Sequence, residues 1–172
     1  MSSERSRSEI GNWFCEGERL YLRALSAADI PLWHVWFNSS EVSEHLNKGI
    51  FPNTEEAQAD HLRNISNSRT DVQLGIVMKE GNALVGTIGI HNIDWVHRRG
   101  DISILVGEKS AWNKGVATEA IYLMVEQAFE KMNLYKVTAG MWASNQGSRI
   151  CFEKNGFVLE GTLRENYFYK SK

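Results

Sequence analysis

These 172 residues predict a mixed α/β domain: a central, mostly antiparallel sheet flanked by helices. Three observations lead there. Ile102, Ile104 and Val106 alternate as a strand does, and Val116, Ala120, Met124, Ala128 and Met132 follow directly at helical spacing. Segments of the two periods succeed one another along the whole chain in the order strand, two helices, three meandering strands, helix, strand, helix, strand. With 42% hydrophobic and 23% charged residues, the chain suits one ordinary domain with a sizeable core.

Residues 1–15 read as a polar tail, since Met1 to Glu9 carry Arg5 and Arg7 but no apolar run, and a single domain is expected over 16–172. Glu18 to Leu25 alternates as a strand. Ser26-Ala27-Ala28-Asp29 opens a helix bearing Trp33, Trp36 and Phe37, with Pro31 in its first turn, where the ring is tolerated. Thr54 caps a second helix, whose first turn holds Glu55 and Glu56 beside the positive end of the dipole. Val72 to Met78 is a strand, Glu80-Gly81-Asn82 a turn, and Leu84 to Ile93 the next strand. Another turn at Val96 to Arg98 leads into a strand over Gly100 to Gly107. The long helix from Val116 runs to about Lys131, and Tyr135 to Ala143 is a strand. A short amphipathic helix stops at Asn155-Gly156, after which Phe157-Val158-Leu159 starts a final strand.

Charge and composition exclude several roles. The net charge is -2 and His97-Arg98-Arg99 is the one basic cluster, so a nucleic-acid surface is not expected. No segment has the length and apolarity to cross a bilayer. Cys15 and Cys151 lie far apart without metal-like spacing, which argues for a reducing, cytoplasmic setting and against a metal site.

The break between strand and helix, Gly107 to Gly115, is where chemistry is expected. Helix-start amides lack intrahelical partners there, and the dipole adds partial positive charge, a setting suited to phosphate oxygens. Neither G-x-x-x-x-G-K-S/T nor G-x-G-x-x-G is present. Trp112, Gly115 and Ala117 instead resemble motif A of the GNAT (GCN5-related N-acetyltransferase) superfamily, Q/R-x-x-G-x-G/A, with the tryptophan usual in its RimJ/RimL-like branch. Asn113 stands where that branch usually has glycine. Asn145 to Phe157 resembles motif B, N-x-x-A/S-x-x-L/I/V/C-Y/F/L-E-K-x-G-F, in the right order and context. The resemblance covers about Arg19 to Arg164. Relatives usually continue into a last strand, whereas here Tyr167-Phe168-Tyr169 is followed only by three residues, so that strand is expected to be short, missing or supplied by a second copy. A homodimer would cover the unfinished edge.

The resemblance implies an acetyl-CoA-dependent N-acetyltransferase working by direct attack of a bound amine. It implies that the amides of Asn113, Lys114, Gly115, Val116, Ala117 and Thr118, following Trp112, cradle the pyrophosphate. Leu105, Val106 and Gly107 would pair with the pantetheine arm, and the N–H near Val106 would face the thioester oxygen. Asn145 would hold the arm from the other side, though a helix N-cap role fits it equally. The acceptor amine must be neutral: a lysine-like amine is deprotonated about once in 10³ at pH 7, a handicap of roughly 4 to 5 kcal/mol. Asp101, at the distance before motif A where histone-type relatives carry a catalytic Glu, is the leading base, directly or through water. His91 comes second, since a hairpin turning about Val96 sets it opposite Asp101. Phe152 takes the motif B position where many relatives place a tyrosine to protonate the thiolate. Ser148, about one turn earlier, is a candidate relay or a small packing residue. Trp36, Asn38, Trp95 and His97 are candidates for the acceptor mouth. The acceptor, a small-molecule or peptide amine, stays open between protein N-terminus, polyamine and amino sugar. A non-catalytic acyl-CoA sensor or binding module is the alternative, and another acyl donor a remoter one.

Overall fold

The computed structural model describes residues 13–46 and 53–167. Six strands lie side by side in chain order in one sheet: β1 (Cys15–Glu16), β2 (Leu20–Ala24), β3 (Val72–Met78), β4 (Ala83–Asp94), β5 (Arg99–Val106) and β6 (Lys136–Thr138). Neighbours from β1 to β5 pair antiparallel, and β6 runs parallel to β5. A parallel pair needs a long crossover, and the helix after β5 supplies it.

The helices are α1 (Ile30–Asn38), α2 (Glu55–Ser66), α3 (Val116–Glu126) and α4 (Gln146–Glu153). The Thr54 hydroxyl accepts the Ala57 N–H and caps α2 as its sequence predicts. Buried residues of α3, Val116, Ala120, Ile121, Leu123 and Met124, pack with Leu22, Ile76, Ile88, Ile90 and Ile102 of the sheet. Across the sheet, Trp33 and Trp36 of α1 and Val42 pack with Leu25, Leu84, Leu105 and Trp112. The alternation along β4 and β5 thus gives two environments. One face is apolar under α3. The other carries Asp101, Ser103, Thr87 and His91, and packs on α1 through Leu84 and Leu105.

Three elements differ from expectation. Cys15 already belongs to the sheet, paired with Leu22, because the chain turns at Gly17 and closes with Gly17 N–H donating to the Leu20 carbonyl at 2.8 Å. A Cβ at Gly17 would lie 2.6 Å from Glu119 Oε1, so this turn is shaped by a side chain a hundred residues away. The strand expected over Tyr135 to Ala143 is confined to Lys136–Thr138: as an edge strand, with its one ladder on β5, it parts from that neighbour after three residue pairs. No strand follows α4 among the described residues. Phe157 turns inward, its ring 4.9 Å from that of Phe152, while Val158 and Leu159 stay exposed. Phe168-Tyr169 lies outside the described residues.

Candidate active site

The site begins where β5 and β6 part. Their ladder runs Arg99↔Lys136, Gly100↔Val137, Asp101↔Thr138 and stops, so among the described residues Ile102 to Val106 have no strand on that side. On the other side Gly107 N–H donates to the Val85 carbonyl at 2.9 Å, and Gly86 is the register partner of Val106. By antiparallel alternation, Val106 turns its own N–H and C=O away from β4, into the opening. The Trp112 indole donates to that carbonyl at 2.7 Å. The Val106 N–H is left facing the cleft, a donor of the kind that stabilises a thioester oxygen as it gains charge.

The loop after β5 is held open at its tip. Asn113 (φ 58°) and Gly115 (φ 76°) both take the left-handed conformation, and Glu119 N–H makes the first helical bond, to the Gly115 carbonyl at 3.1 Å. Preceding amides, through Thr118, lack intrahelical acceptors and point out of the helix start. Behind the loop, Gly107 is tight against Trp36: a Cβ there would lie 2.0 Å from the indole. Trp36 is 2% exposed and donates to Glu108 Oε1 at 3.0 Å, so it props the strand from behind and does not line the acceptor mouth.

Arg19 braces the loop from the β1–β2 turn. Its Nη1 donates to the Lys114 carbonyl at 2.6 Å, and its Nε to Glu119 Oε2 at 2.9 Å. Glu119 Oε1 accepts the N–H groups of Arg19 (2.8 Å) and Leu20 (3.3 Å). Burial pushes the Glu119 carboxyl up, yet the bonds from Arg19 and Leu20 and the guanidinium charge outweigh it and hold it below its ordinary 4.5. This clamp was invisible in the sequence, since no local pattern marks an ion pair across a hundred residues.

Asp101 sits at the closed end of the cleft, opposite His91 in register as expected. Its carboxylate accepts from the Thr138 hydroxyl and from Asn92 Nδ2 (3.3 Å). Asn92 reaches it because the β4–β5 ladder bulges between His91 and Asp94, with Asn92 at φ 52°. A cavity of about 440 Å³ opens here, lined by Asn92, Arg99, Gly100, Asp101 and Thr138 with Lys136 and Glu160, which bond each other at 2.7 Å. Asn92 and Thr138 carried no sequence signal of their own.

The remaining predicted residues are spread. Asn145 caps α4, accepting the Ser148 N–H at 3.0 Å, which leaves its NH₂ as the group available to an arm. Ser148 is half-buried in that first turn. Phe152 is 4% exposed and packs into the core, with no hydroxyl to offer. Asn38 ties the end of α1 to the start of α2 through the carbonyls of His34 (3.0 Å) and Asn53 (3.1 Å). Trp95 donates to the Arg69 carbonyl at 2.8 Å, and His97 Nδ1 is 2.8 Å from Asp94 Oδ2, both at the β4–β5 turn. No metal cluster is found among the described residues.

An unpaired strand edge leading to a glycine-shaped, amide-lined helix start suits a ligand that is amide chain at one end and diphosphate at the other, as coenzyme A is. Fold and site together define an acyl-CoA-dependent transferase. Residues 19–158 match the family described as acetyltransferase (GNAT) domain, and the chain belongs to that family, with acetyl-CoA as its cosubstrate. An uncharacterized N-acetyltransferase of Bacillus licheniformis, p20, is 30% identical over 86% of this chain and 84% of its own. The spermidine N(1)-acetyltransferase of Vibrio cholerae is 23% identical over 90% and 87%. A crystal structure of spermidine N-acetyltransferase from Vibrio cholerae with CoA and spermine has the same fold, with a TM-score of 0.81 at 21% identity over 88% of each chain.

Proposed function

We propose that this enzyme acetylates a primary amine of a small cationic acceptor, a polyamine before a protein N-terminus or an amino sugar. The observation that carries the reading is Asp101, a lining residue of the cavity beside the end of the open edge of β5, where the cations of the lining have acidic partners of their own, Lys136 with Glu160 and Arg99 with Asp94. An ammonium is drawn to that carboxylate, and the spermidine acetyltransferases among the relatives support the same acceptor class. Acetyl-CoA supplies an activated acyl thioester. The amides of residues 113–118 take its diphosphate, and Leu105 to Gly107 pair with its arm. The Val106 N–H holds the carbonyl oxygen, and the Asn145 amide closes the arm from α4. Asp101 orients the ammonium and receives its first proton, directly or through a water.

We read the chain as RimJ/RimL-like on the strength of Trp112, whose indole holds the Val106 carbonyl, and as cytoplasmic from its two free thiols. The edge of β6, which no strand covers among the described residues, supports a homodimer, which light scattering tests. The function itself is tested by following thiol release from acetyl-CoA with spermidine, spermine, an N-terminal peptide and glucosamine. Turnover is expected with the polyamines, and Asp101→Asn is expected to raise KM and lower kcat while CoA affinity stays put. CoA binding without turnover of any amine would overturn the reading in favour of a binding module, which the buried, hydroxyl-free Phe152 would suit.

A further inference from the structure

His91 stands between polar partners from both neighbouring strands. Its Nε2 is 2.8 Å from Ser103 Oγ on β5, and its Nδ1 is 3.4 Å from Asp71 Oδ1 at the foot of β3. The sheet leaves room for this arrangement. Gly89 is the register partner of Ser103, and a Cβ at 89 would lie 2.8 Å from Nε2 and 3.0 Å from Cε1, so the imidazole lies across a bare Cα. Asp71 is fixed in its turn: Oδ2 accepts from the hydroxyls of Ser68 (2.8 Å) and Thr70 (3.0 Å), and Oδ1 accepts the Asn92 N–H at 3.2 Å. Burial pushes the Asp71 carboxyl up, but these bonds and the nearby imidazole outweigh it and lower it below its ordinary 3.8. Asp101, the cross-strand neighbour of His91, turns instead to Thr138 and Asn92. From α2, His61 stands 3.4 Å from Gln73, one strand over.

We propose that Asp71, His91 and Ser103 form a proton relay on the acceptor face, in which Ser103 meets the reacting amine and His91 draws the proton away. The proposal rests on the amine-acetylating function above and adds the residues that move its second proton. Ser103 shares a face with Asp101 and lies two residues nearer Val106, about 7 Å along the strand. That puts it between the anchored ammonium and the N–H that holds the acyl oxygen. An ionised Asp71 selects the tautomer with hydrogen on Nδ1, which leaves the Nε2 lone pair to accept from the Ser103 hydroxyl. As the amine nitrogen bonds to the acyl carbon, the C–S bond breaks and its electron pair goes to sulfur. The N–H proton released passes to Ser103 Oγ, the Ser103 proton passes to His91 Nε2, and the imidazolium returns it to the thiolate or to water.

The test has two arms. Nitrogen-15 NMR of the imidazoles in the free enzyme, at mildly alkaline pH, reads the tautomer without any acceptor. His91 is expected as Nδ1–H, becoming a mixture in Asp71→Asn, whereas an Nε2–H tautomer in the wild type would overturn the relay. Kinetics with the best amine are the second arm. His91→Gln and Ser103→Ala are each expected to lower kcat by ~10²-fold with little change in KM, and the double variant to lose no more than the worse single one. Losses that multiply, or rates near wild type in a variant that melts normally, would refute it. Failure of every amine overturns the proposed function instead, and the tautomer then decides the relay.

Discussion

Replacing Glu119 by glutamine tests whether the clamp behind the loop matters to both stability and cofactor binding. In the native protein three N–H groups converge on this one carboxylate, the backbone N–H groups of Arg19 and Leu20 and the Arg19 Nε–H. Glutamine keeps one oxygen for the backbone donors but turns an NH₂ toward Arg19 Nε, removing a charge-assisted bond. Such bonds contribute ~1.5 to 3 kcal/mol. The Arg19 side chain is 47% exposed, so solvent screening reduces the loss to ~1 to 2 kcal/mol. For a chain of this size that lowers the melting temperature by roughly 2 to 8 °C. Arg19 also holds the Lys114 carbonyl, so its release loosens the amide cradle, and CoA affinity measured by calorimetry is expected to fall about fivefold, near 1 kcal/mol. The pH dependence has a definite sign. Folding holds the Glu119 carboxyl below its ordinary 4.5, so the unfolded chain takes up the proton first. The contribution is complete above that value and is lost as pH falls through the lower native one. Wild type and variant should therefore converge in melting temperature toward acid. Unchanged melting and unchanged CoA affinity at neutral pH would refute the reasoning.

Other expectations follow from the same cleft. Trp112→Phe leaves the half-buried Val106 carbonyl without its donor, at a cost of about 1 to 3 kcal/mol by chemical denaturation, and weakens CoA binding in the same titration. Gly107→Ala drives a methyl into the Trp36 indole, and a loss of at least ~1 to 3 kcal/mol with a drop in the melting temperature is expected. The Cys15 thiol, pushed up to about 11 by burial and then by Glu126, should react slowly with a disulfide reagent at neutral pH and faster only on unfolding.

Local pattern carried much of the fold. Val72–Met78 is a strand over the residues its alternation predicts, Thr54 caps α2, and α4 spans Gln146–Glu153 just before Asn155-Gly156. These signals are periodic or sit within one turn of the residue they control. The glycine-opened start of α3 was legible for the same reason, since Gly115 and the apolar stripe of α3 adjoin in sequence. His91 opposite Asp101 followed from counting back along a hairpin, because register fixes backbone partners.

The sequence by itself therefore determined the order of the elements from β2 to α4, the strand-to-helix junction after β5 and the pairing of the central strands, all of which depend on spacing along one segment or across one turn. Only the tertiary structure decided where side chains went once the strands were side by side. It sent Trp36 behind Gly107, gave Asp101 to Asn92 and Thr138, and turned His91 toward Asp71 and Ser103. A one-residue bulge at Asn92 redirects a side chain without leaving a mark in hydrophobic period. Arg19 and Glu119 meet across a hundred residues with no pattern to announce it. Such contacts arise from how separate elements pack, and their partners exist as neighbours only after folding has closed the distance.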